Sequence, residues 1–392
     1  MLVPLIENCK VFEKRRICML MVTHACNLNC TYCYESFKGQ RFMNTSLAKE
    51  ILQKEFALVR NSDKFNELEI DFMGGEPLMN FTLIKEVVEW LLDQKWDVPF
   101  ITFCSTNGTL VGDDNKEWLN AHKDVLVLGL SYDGDFDMQM QNRGTAKKDI
   151  DIKFFMDTWP WEPFHITISK DTLPHLAQGI LSLQRAGGRL TAALAQGVDW
   201  TEDDAALFGE QLSILREAYI EDDALKPINL LGRPLYGIAN PDRVQRKFCG
   251  TGTSMIAYDI DGKTYPCHMF SPIVLGPEGA LELAKSGITE NSDIADNFCD
   301  SCFLRSWCPT CYGFNYRFRG SISKRDHRWC SMIHAQAIAS CEFQIAYYHK
   351  HMAQLTDKDM AQLKGALEFY HAFMDLEGKT ARTQKKTATQ IF

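Results

Sequence analysis

Three cysteines of this chain, Cys26, Cys30 and Cys33, crowd into eight residues, and seven more run from Cys249 to Cys330. Thiolates are soft ligands for zinc and for iron–sulfur clusters. The first group, spaced Cys-x3-Cys-x2-Cys, can hold three irons of a four-iron cluster. The fourth iron is then without a protein ligand, an open position of the kind that catalytic metals keep. A zinc site is the alternative, with His24 recruited as a ligand. The second group starts at Cys249, reaches Gly262 after twelve residues and Cys267 after four more. It continues as Cys299-x2-Cys302-x5-Cys308-x2-Cys311 and ends at Cys330. Paired CxxC spacings also suit a zinc ribbon or knuckle. Four cysteines stand alone. Cys9 and Cys18 read as structural, Cys104 as core within a strand, and Cys341 as a buried thiol on a helix. None lies between Asp113 and Phe248, so two separate collecting places are expected.

The elements that must position these groups follow from apolar periodicity. Ile17–Val22, Leu68–Met73, Phe100–Cys104, Val125–Leu130, His165–Ser169 and Arg189–Ala195 read as strands. Between the first two lies a helix with Asn44, Thr45 and Ser46 as caps and Leu47, Ile51, Leu52 and Phe56 on its apolar face. Phe81–Leu92 and Ala206–Ala218 read as further helices. This alternation predicts an α/β domain with a parallel sheet. Six strands fall short of the eight of a closed barrel, so a partial barrel or an open sheet fits. Cys26–Cys33 directly follows the first strand, and such folds bind ligands at the carboxyl ends of strands. After about Asp223 the chain turns rich in Gly, Pro, Cys and aromatics. Helices return at Met332–Met352 and Asp359–Leu376. The expected organisation is an α/β partial barrel over 1–222, a small Cys-rich Fe–S domain over 223–345, C-terminal helices over 346–377 and a disordered tail over 378–392.

The 392 residues are 45% hydrophobic, enough for one large domain and a smaller one, and the formal charge is −9 with a pI near 5.6. That balance gives no electrostatic case for nucleic acid. No apolar run reaches membrane-spanning length. Met1–Lys10 lacks the pattern of a signal peptide, which points to the cytoplasm. Without secretion, fourteen cysteines fit metal binding better than a disulfide framework.

Cys26-Asn-Leu-Asn-Cys30-Thr-Tyr-Cys33 resembles the signature loop of the radical S-adenosylmethionine (SAM) superfamily, with Tyr32 at its aromatic position. The resemblance implies a partial (β/α)6 TIM-like barrel over about residues 15–220 and SAM chelated by the open iron of the cluster. It further implies a 5′-deoxyadenosyl radical that abstracts a substrate hydrogen. Gly74-Gly75-Glu76-Pro77 resembles the family's glycine-rich SAM motif, where the glycines admit backbone close to the ligand and Glu76 pairs with its ammonium group. Ser105-Thr106-Asn107-Gly108 resembles the family's Thr-Asn-Gly loop and brings in Ser105 and Asn107. Ser131 of Ser131-Tyr132-Asp133-Gly134, and Arg143, match positions that contact ribose and carboxylate in related maturases. Ser169 is a weaker match.

The second array resembles the SPASM domain of peptide- and protein-modifying radical SAM enzymes, although its last internal spacing is x2 where x3 is commonest. Carried over, Cys299, Cys302, Cys308 and Cys330 hold one auxiliary cluster and Cys249, Cys267 and Cys311 another. With the SAM cluster this makes three [4Fe-4S] clusters. The second set lacks a fourth cysteine, for which Cys341, an oxygen or nitrogen ligand, or an open iron can stand. The layout is similar to that of anaerobic sulfatase maturases, in which an Asp general base follows the second auxiliary cysteine; here His268 follows Cys267. His268 can accept a proton or serve as a cluster-shell residue. The resemblance implies an oxidoreductase that installs a thioether or carbon–carbon cross-link in a ribosomally synthesised peptide. The alternatives are oxidation of a Cys or Ser in a protein and oxidation of a small molecule. A reducing partner such as flavodoxin or ferredoxin is implied. Only 25 residues precede Cys26, too few for the N-terminal leader-binding domain of many peptide maturases, so a separate leader-peptide recognition protein or direct binding of the core peptide is expected.

Overall fold

The computed structural model of the chain describes residues 14–144, 150–235, 249–283 and 297–389; Cys9 lies outside them. The first half alternates strand and helix: β1 (Arg15–Thr23), α1 (Thr45–Arg60), β2 (Glu67–Gly74), α2 (Phe81–Asp93), β3 (Phe100–Thr106), α3 (Asp113–Ala121) and β4 (Leu126–Leu130). Then come α4 (Phe136–Arg143), α5 (Ile152–Thr158), β5 (Phe164–Ile168), α6 (Leu176–Arg185), β6 (Leu190–Leu194), α7 (Glu202–Glu221) and α8 (Asn229–Gly232). Strands β1 to β4 pair in order, all parallel, and β5 pairs with β6. A bridge between Ser131 and His165 joins the two sheets. Six parallel strands in chain order, each followed by helix, make the expected partial barrel.

The local reasons are ordinary. Asn44 caps α1 by accepting from the Leu47 amide at 2.8 Å, and Ala48, Ile51, Leu52, Phe56 and Val59 face the core. Helix α7 opens on a capping box between Thr201 and Asp204, which ties up two otherwise orphaned donors. Asp135 caps α4, and Gly144 ends it in the left-handed conformation, where a side chain is costly. This short helix sets the direction of Asn142 and Arg143.

The C-terminal part contributes β7 (Met255–Tyr258), β8 (Thr264–Tyr265), α9 (Pro272–Leu283), α10 (Tyr312–Arg319), α11 (Cys330–Lys350) and α12 (Asp357–Thr389). It does not stand apart from the barrel. Strand β7 pairs parallel with β1, with Ile17 opposite Met255, and β8 continues the sheet antiparallel. The sheet order is therefore β4-β3-β2-β1-β7-β8. Because side chains alternate across a strand, the faces of β1 serve two cores. Cys18, Leu20 and Val22 join the large core with α1. Met19 and Met21 pack with Ala257, Tyr265, Cys267, Met269 and Phe270 in a second one. The tail expected to be disordered from 378 continues α12 as far as Thr389; no proline interrupts it.

Candidate active site

The loop after β1 carries Cys26, Cys30 and Cys33, all partly buried free thiols. Burial pushes Cys30 up to about 11, against the pull of the Arg143 cation, and raises Cys26 as well. Metal ligation requires the thiolate, so a bound metal would have to supply the missing positive charge and release the protons. Gly74 and Gly75 press this loop from behind. The Gly75 amide donates to Thr23 O at 3.3 Å and the Glu76 amide to Ala25 O at 2.8 Å. A Cβ on Gly75 would lie 2.5 Å from Ala25 O, and one on Gly74, at φ +157°, 2.4 Å from Thr23 O. The close approach these glycines permit is thus to the thiol loop itself.

Glu76 is buried and raised by its burial. It accepts from Thr106 Oγ1 (2.7 Å), Leu78 N (3.1 Å) and Asn107 N (2.8 Å), and caps the turn begun by Pro77. Three protein donors leave one of its roughly four lone-pair positions, on Oε2. Asn107 reaches back to the loop through Nδ2 to Asn27 Oδ1 at 3.0 Å. Ser105 sits at the end of β3 opposite Gly129, and Ser131 at the β4–β5 bridge. Ser169 is turned inward, donating to Asn142 Oδ1 at 2.6 Å.

The centre of this region is a residue that sequence reasoning did not select. Asp133 is fully buried and takes five donors. Arg143 Nε and Nη2 grip both oxygens at 2.9 and 3.1 Å. The Tyr32 hydroxyl donates at 2.5 Å, Asn142 Nδ2 at 3.2 Å and Thr167 N at 2.8 Å. Burial pulls Arg143 down, but Asp133, Tyr32 and Cys30 together outweigh it and the net shift is upward. The guanidinium lies over the Tyr32 ring, 5.5 Å from its centroid. An Asp followed by Gly after a strand reads as a turn, so nothing in the sequence marked Asp133 as this anchor.

His24 is not turned to the thiols. Its Nε2 meets Asp259 Oδ1 at 2.6 Å, both groups buried. Among the described residues no three His, Cys, Asp or Glu side chains converge tightly enough for a single metal ion. In a four-iron cluster each thiolate binds a different iron, so its ligands stand further apart.

The thiols of the second array fall into two groups. Cys267, pushed up to about 12 by burial, feels Cys311 and Cys249. Cys330, raised to about 11 by burial, feels Cys308, Cys302 and Cys299. The latter four line one cavity of about 50 Å³, which Cys311 also lines, so Cys311 faces both sets. Cys341, buried on α11, donates to Ala366 O at 3.3 Å and is engaged away from the array. Cys104 and Cys18 are core residues. His268 Nε2 lies 3.3 Å from the Tyr34 hydroxyl, while its Nδ1 is buried without a partner. Burial lowers His268 to about 4, so its imidazole is neutral near pH 7. Burial raises Tyr34, and the charges of Glu35, Cys33, Cys311 and Cys267 act the same way. Thiols of both collecting places read from the sequence therefore act on Tyr34, which pairs with His268.

Residues 15–151 match the family described as a 4Fe-4S single cluster domain; the match includes the first thiol loop and not the second array. An uncharacterized protein of Methanocaldococcus jannaschii is 36% identical over 116 residues, 30% of this chain and 38% of its own length. The radical SAM cyclopropyl synthase TigE of Paramaledivibacter caminithermalis is 26% identical over 150 residues, 31% of each chain. The chain thus spans about a third of the length of these curated relatives. In fold it is similar to native anSMEcpe with bound AdoMet and Cp18Cys peptide, at a TM-score of 0.63 and 16% identity, over 87% of this chain and 100% of that one. It is also similar to Streptococcus suis SuiB bound to precursor peptide SuiA, at 0.51 and 16%, over 81% and 76%. Over part of its length the chain thus resembles a 4Fe-4S single cluster domain and a radical SAM cyclopropyl synthase, and in fold it resembles anSMEcpe and SuiB. None of its described helices is long and apolar enough to cross a membrane.

Proposed function

We propose that the chain binds SAM at a four-iron cluster held by Cys26, Cys30 and Cys33 and modifies a ribosomally synthesised peptide, installing a thioether or carbon–carbon cross-link. When bound, the cluster supplies the electron that cleaves SAM to methionine and a 5′-deoxyadenosyl radical, which takes a hydrogen atom from the substrate. The chain's own residues orient and enclose. Asp133 holds Arg143 by Nε and Nη2, leaving Nη1 for the SAM carboxylate. The spare lone pair of Glu76 suits the SAM ammonium. Gly74, Gly75 and Pro77 fix the backbone behind the loop. Tyr32, Ser105, Asn107, Ser131 and Ser169 complete the surround, the last through Asn142. Cys299, Cys302, Cys308 and Cys330 would hold one auxiliary cluster, and Cys249, Cys267 and Cys311 the other. His268, neutral and beside Tyr34, is the candidate base for the substrate proton. A flavodoxin or ferredoxin would supply electrons in the cytoplasm, and a separate protein could present the leader peptide.

The observation that carries this reading is the thiol loop at the carboxyl ends of the strands, enclosed by Arg143, Glu76 and Tyr32 and adjoining a second thiol array. The peptides bound in the two structural neighbours support a peptide substrate. Anaerobic reconstitution should load roughly twelve irons per chain if all three clusters are four-iron; a plateau near four would mean that the array holds something else. Cys30→Ala should abolish SAM cleavage while keeping the auxiliary iron. Normal 5′-deoxyadenosine formation by that variant would remove the catalytic assignment. A second reading, oxidation of a Cys or Ser side chain in a protein, draws support from the superposition over the whole of anSMEcpe. Mass spectrometry separates them. A cross-linked product is shorter of hydrogen and resists fragmentation between the joined residues, whereas an oxidised side chain gains a carbonyl that captures hydrazine.

A further inference from the structure

Each thiol of the first loop has a cation in its field, and the cations come from three parts of the chain. Lys38, within the loop's own continuation, acts on all three thiols and hydrogen-bonds Cys33. Arg143 of α4 acts on Cys30. The third, Arg317, comes from α10 in the C-terminal half. Its Nη1 donates to Tyr34 O and its Nη2 to Ser36 Oγ, the latter at 2.8 Å. Burial lowers Arg317, while the charge of Cys33 works to raise it. Nearby, the Phe37 amide donates to Ile273 O at 2.9 Å. Residues 34–37 are thus held from the C-terminal side, and Arg317 is the member of that hold that carries charge.

The helix bearing Arg317 starts at a thiol. Cys311 is the N-cap of α10, and the Asn315 amide donates back to Cys311 O at 2.9 Å. Whatever fixes Cys311 therefore fixes the helix whose next turns carry Arg317 to the loop beyond Cys33.

We propose that Arg317 is a positioning residue for the SAM-cluster loop: it clamps Tyr34 and Ser36 and sets a positive charge beside Cys33, so that the second thiol array tunes the first cluster from across the domain boundary. This rests on the reading that Cys26, Cys30 and Cys33 hold a cluster. A reduced cluster is one charge more negative than an oxidised one. A fixed cation beside it favours reduction, and more so where water is largely excluded. The fork shape matters too, since a guanidinium can hold a carbonyl and a hydroxyl together while an ammonium is a point charge.

The test uses the full reconstituted chain under anaerobic conditions and three variants. Arg317→Gln keeps donors and loses the charge, Arg317→Lys keeps the charge and loses the fork, and Arg317→Met loses both. Two readouts serve: the reduction potential of the cluster whose paramagnetic resonance signal responds to SAM, and hydrogen exchange of residues 26–38. Gln and Met variants should show a more negative potential at unchanged iron content, and Lys should restore it. Exchange should quicken most in Met and least in Gln. A SAM-responsive signal whose potential is the same in parent and Gln variant overturns the proposal alone, as does a Lys variant that fails to restore it. A parent signal that SAM does not perturb overturns the cluster reading and this inference with it. If the Met variant does not fold, the Gln and Lys pair still decides.

Discussion

Asp71, midway along β2, is 7% exposed, and its Oδ1 has no hydrogen-bond partner. Burial, and next the charge of Glu69, hold its carboxyl well above the ordinary range, with Arg15 pulling weakly the other way. An acid whose folded pKa is raised contributes its full stability only below the unfolded value near 3.9. It loses that contribution as pH climbs toward the folded value. Asp71→Asn removes the titration at nearly constant shape. The variant should therefore gain on the parent as pH rises from 5 to 8, in urea unfolding of the reconstituted chain. An advantage that stays constant or shrinks over that range would show that Asp71 is not protonated in the fold. At this scale the sequence pointed to the cysteines and was silent on the residue that anchors their surroundings. Cysteines announce themselves by number and spacing. Asp133 is an anchor only because α4 folds back to bring Asn142 and Arg143 onto it, which no local pattern encodes.

The elements carry a different lesson. The barrel strands were legible in two ways: β1 and β4 as apolar runs buried on both faces, β3 and β5 as strands whose burial alternates along the chain. Strands β7 and β8 were not, being four and two residues long and existing as strands only through their partners. The domain boundary expected near 223 was read from composition, and composition is blind to β7 completing the barrel's own sheet. The segment joining β2 to the thiol loop makes a sharp prediction. Gly75→Ala places a methyl 2.5 Å from Ala25 O and 2.8 Å from Cys26 Cβ, backbone that cannot swing aside. Overpacking of this kind costs about 1–3 kcal/mol, and here the strain falls on the cluster loop. The variant should lose SAM-cluster iron preferentially while retaining auxiliary iron, by iron counting against resonance signals. Uniform loss of all iron would mean that it merely unfolds. Gly112→Ala, where nothing lies within 4 Å, is the control and should be silent.

Across the whole molecule, the C-terminal half is fastened to the barrel at many points. His24 meets Asp259, Arg16 Nη1 donates to Thr253 O at 3.0 Å, and the Tyr258 hydroxyl donates to Glu55 at 2.6 Å. Asp259→Ala leaves His24 buried without its partner, at a cost of about 1–3 kcal/mol. The parent should melt in one cooperative calorimetric transition, and the variant at a lower temperature with a broadened or split one. An unchanged single transition would show that β1–β7 pairing alone carries the coupling.

That pairing also sets a schedule for the growing chain. Met255 pairs beside Ile17 and follows it by 238 positions (255 − 17). At roughly 5–20 residues per second of synthesis, about 12–48 s pass between the two leaving the ribosome. Throughout that interval Ile17–Leu20, an apolar stretch in the middle of the finished sheet, waits as a bare edge of the kind that recruits other chains. Newly made protein should accordingly be most prone to aggregate before its last third emerges, and a nascent chain stalled short of Met255 should depend on chaperones more heavily than one stalled just past Tyr265.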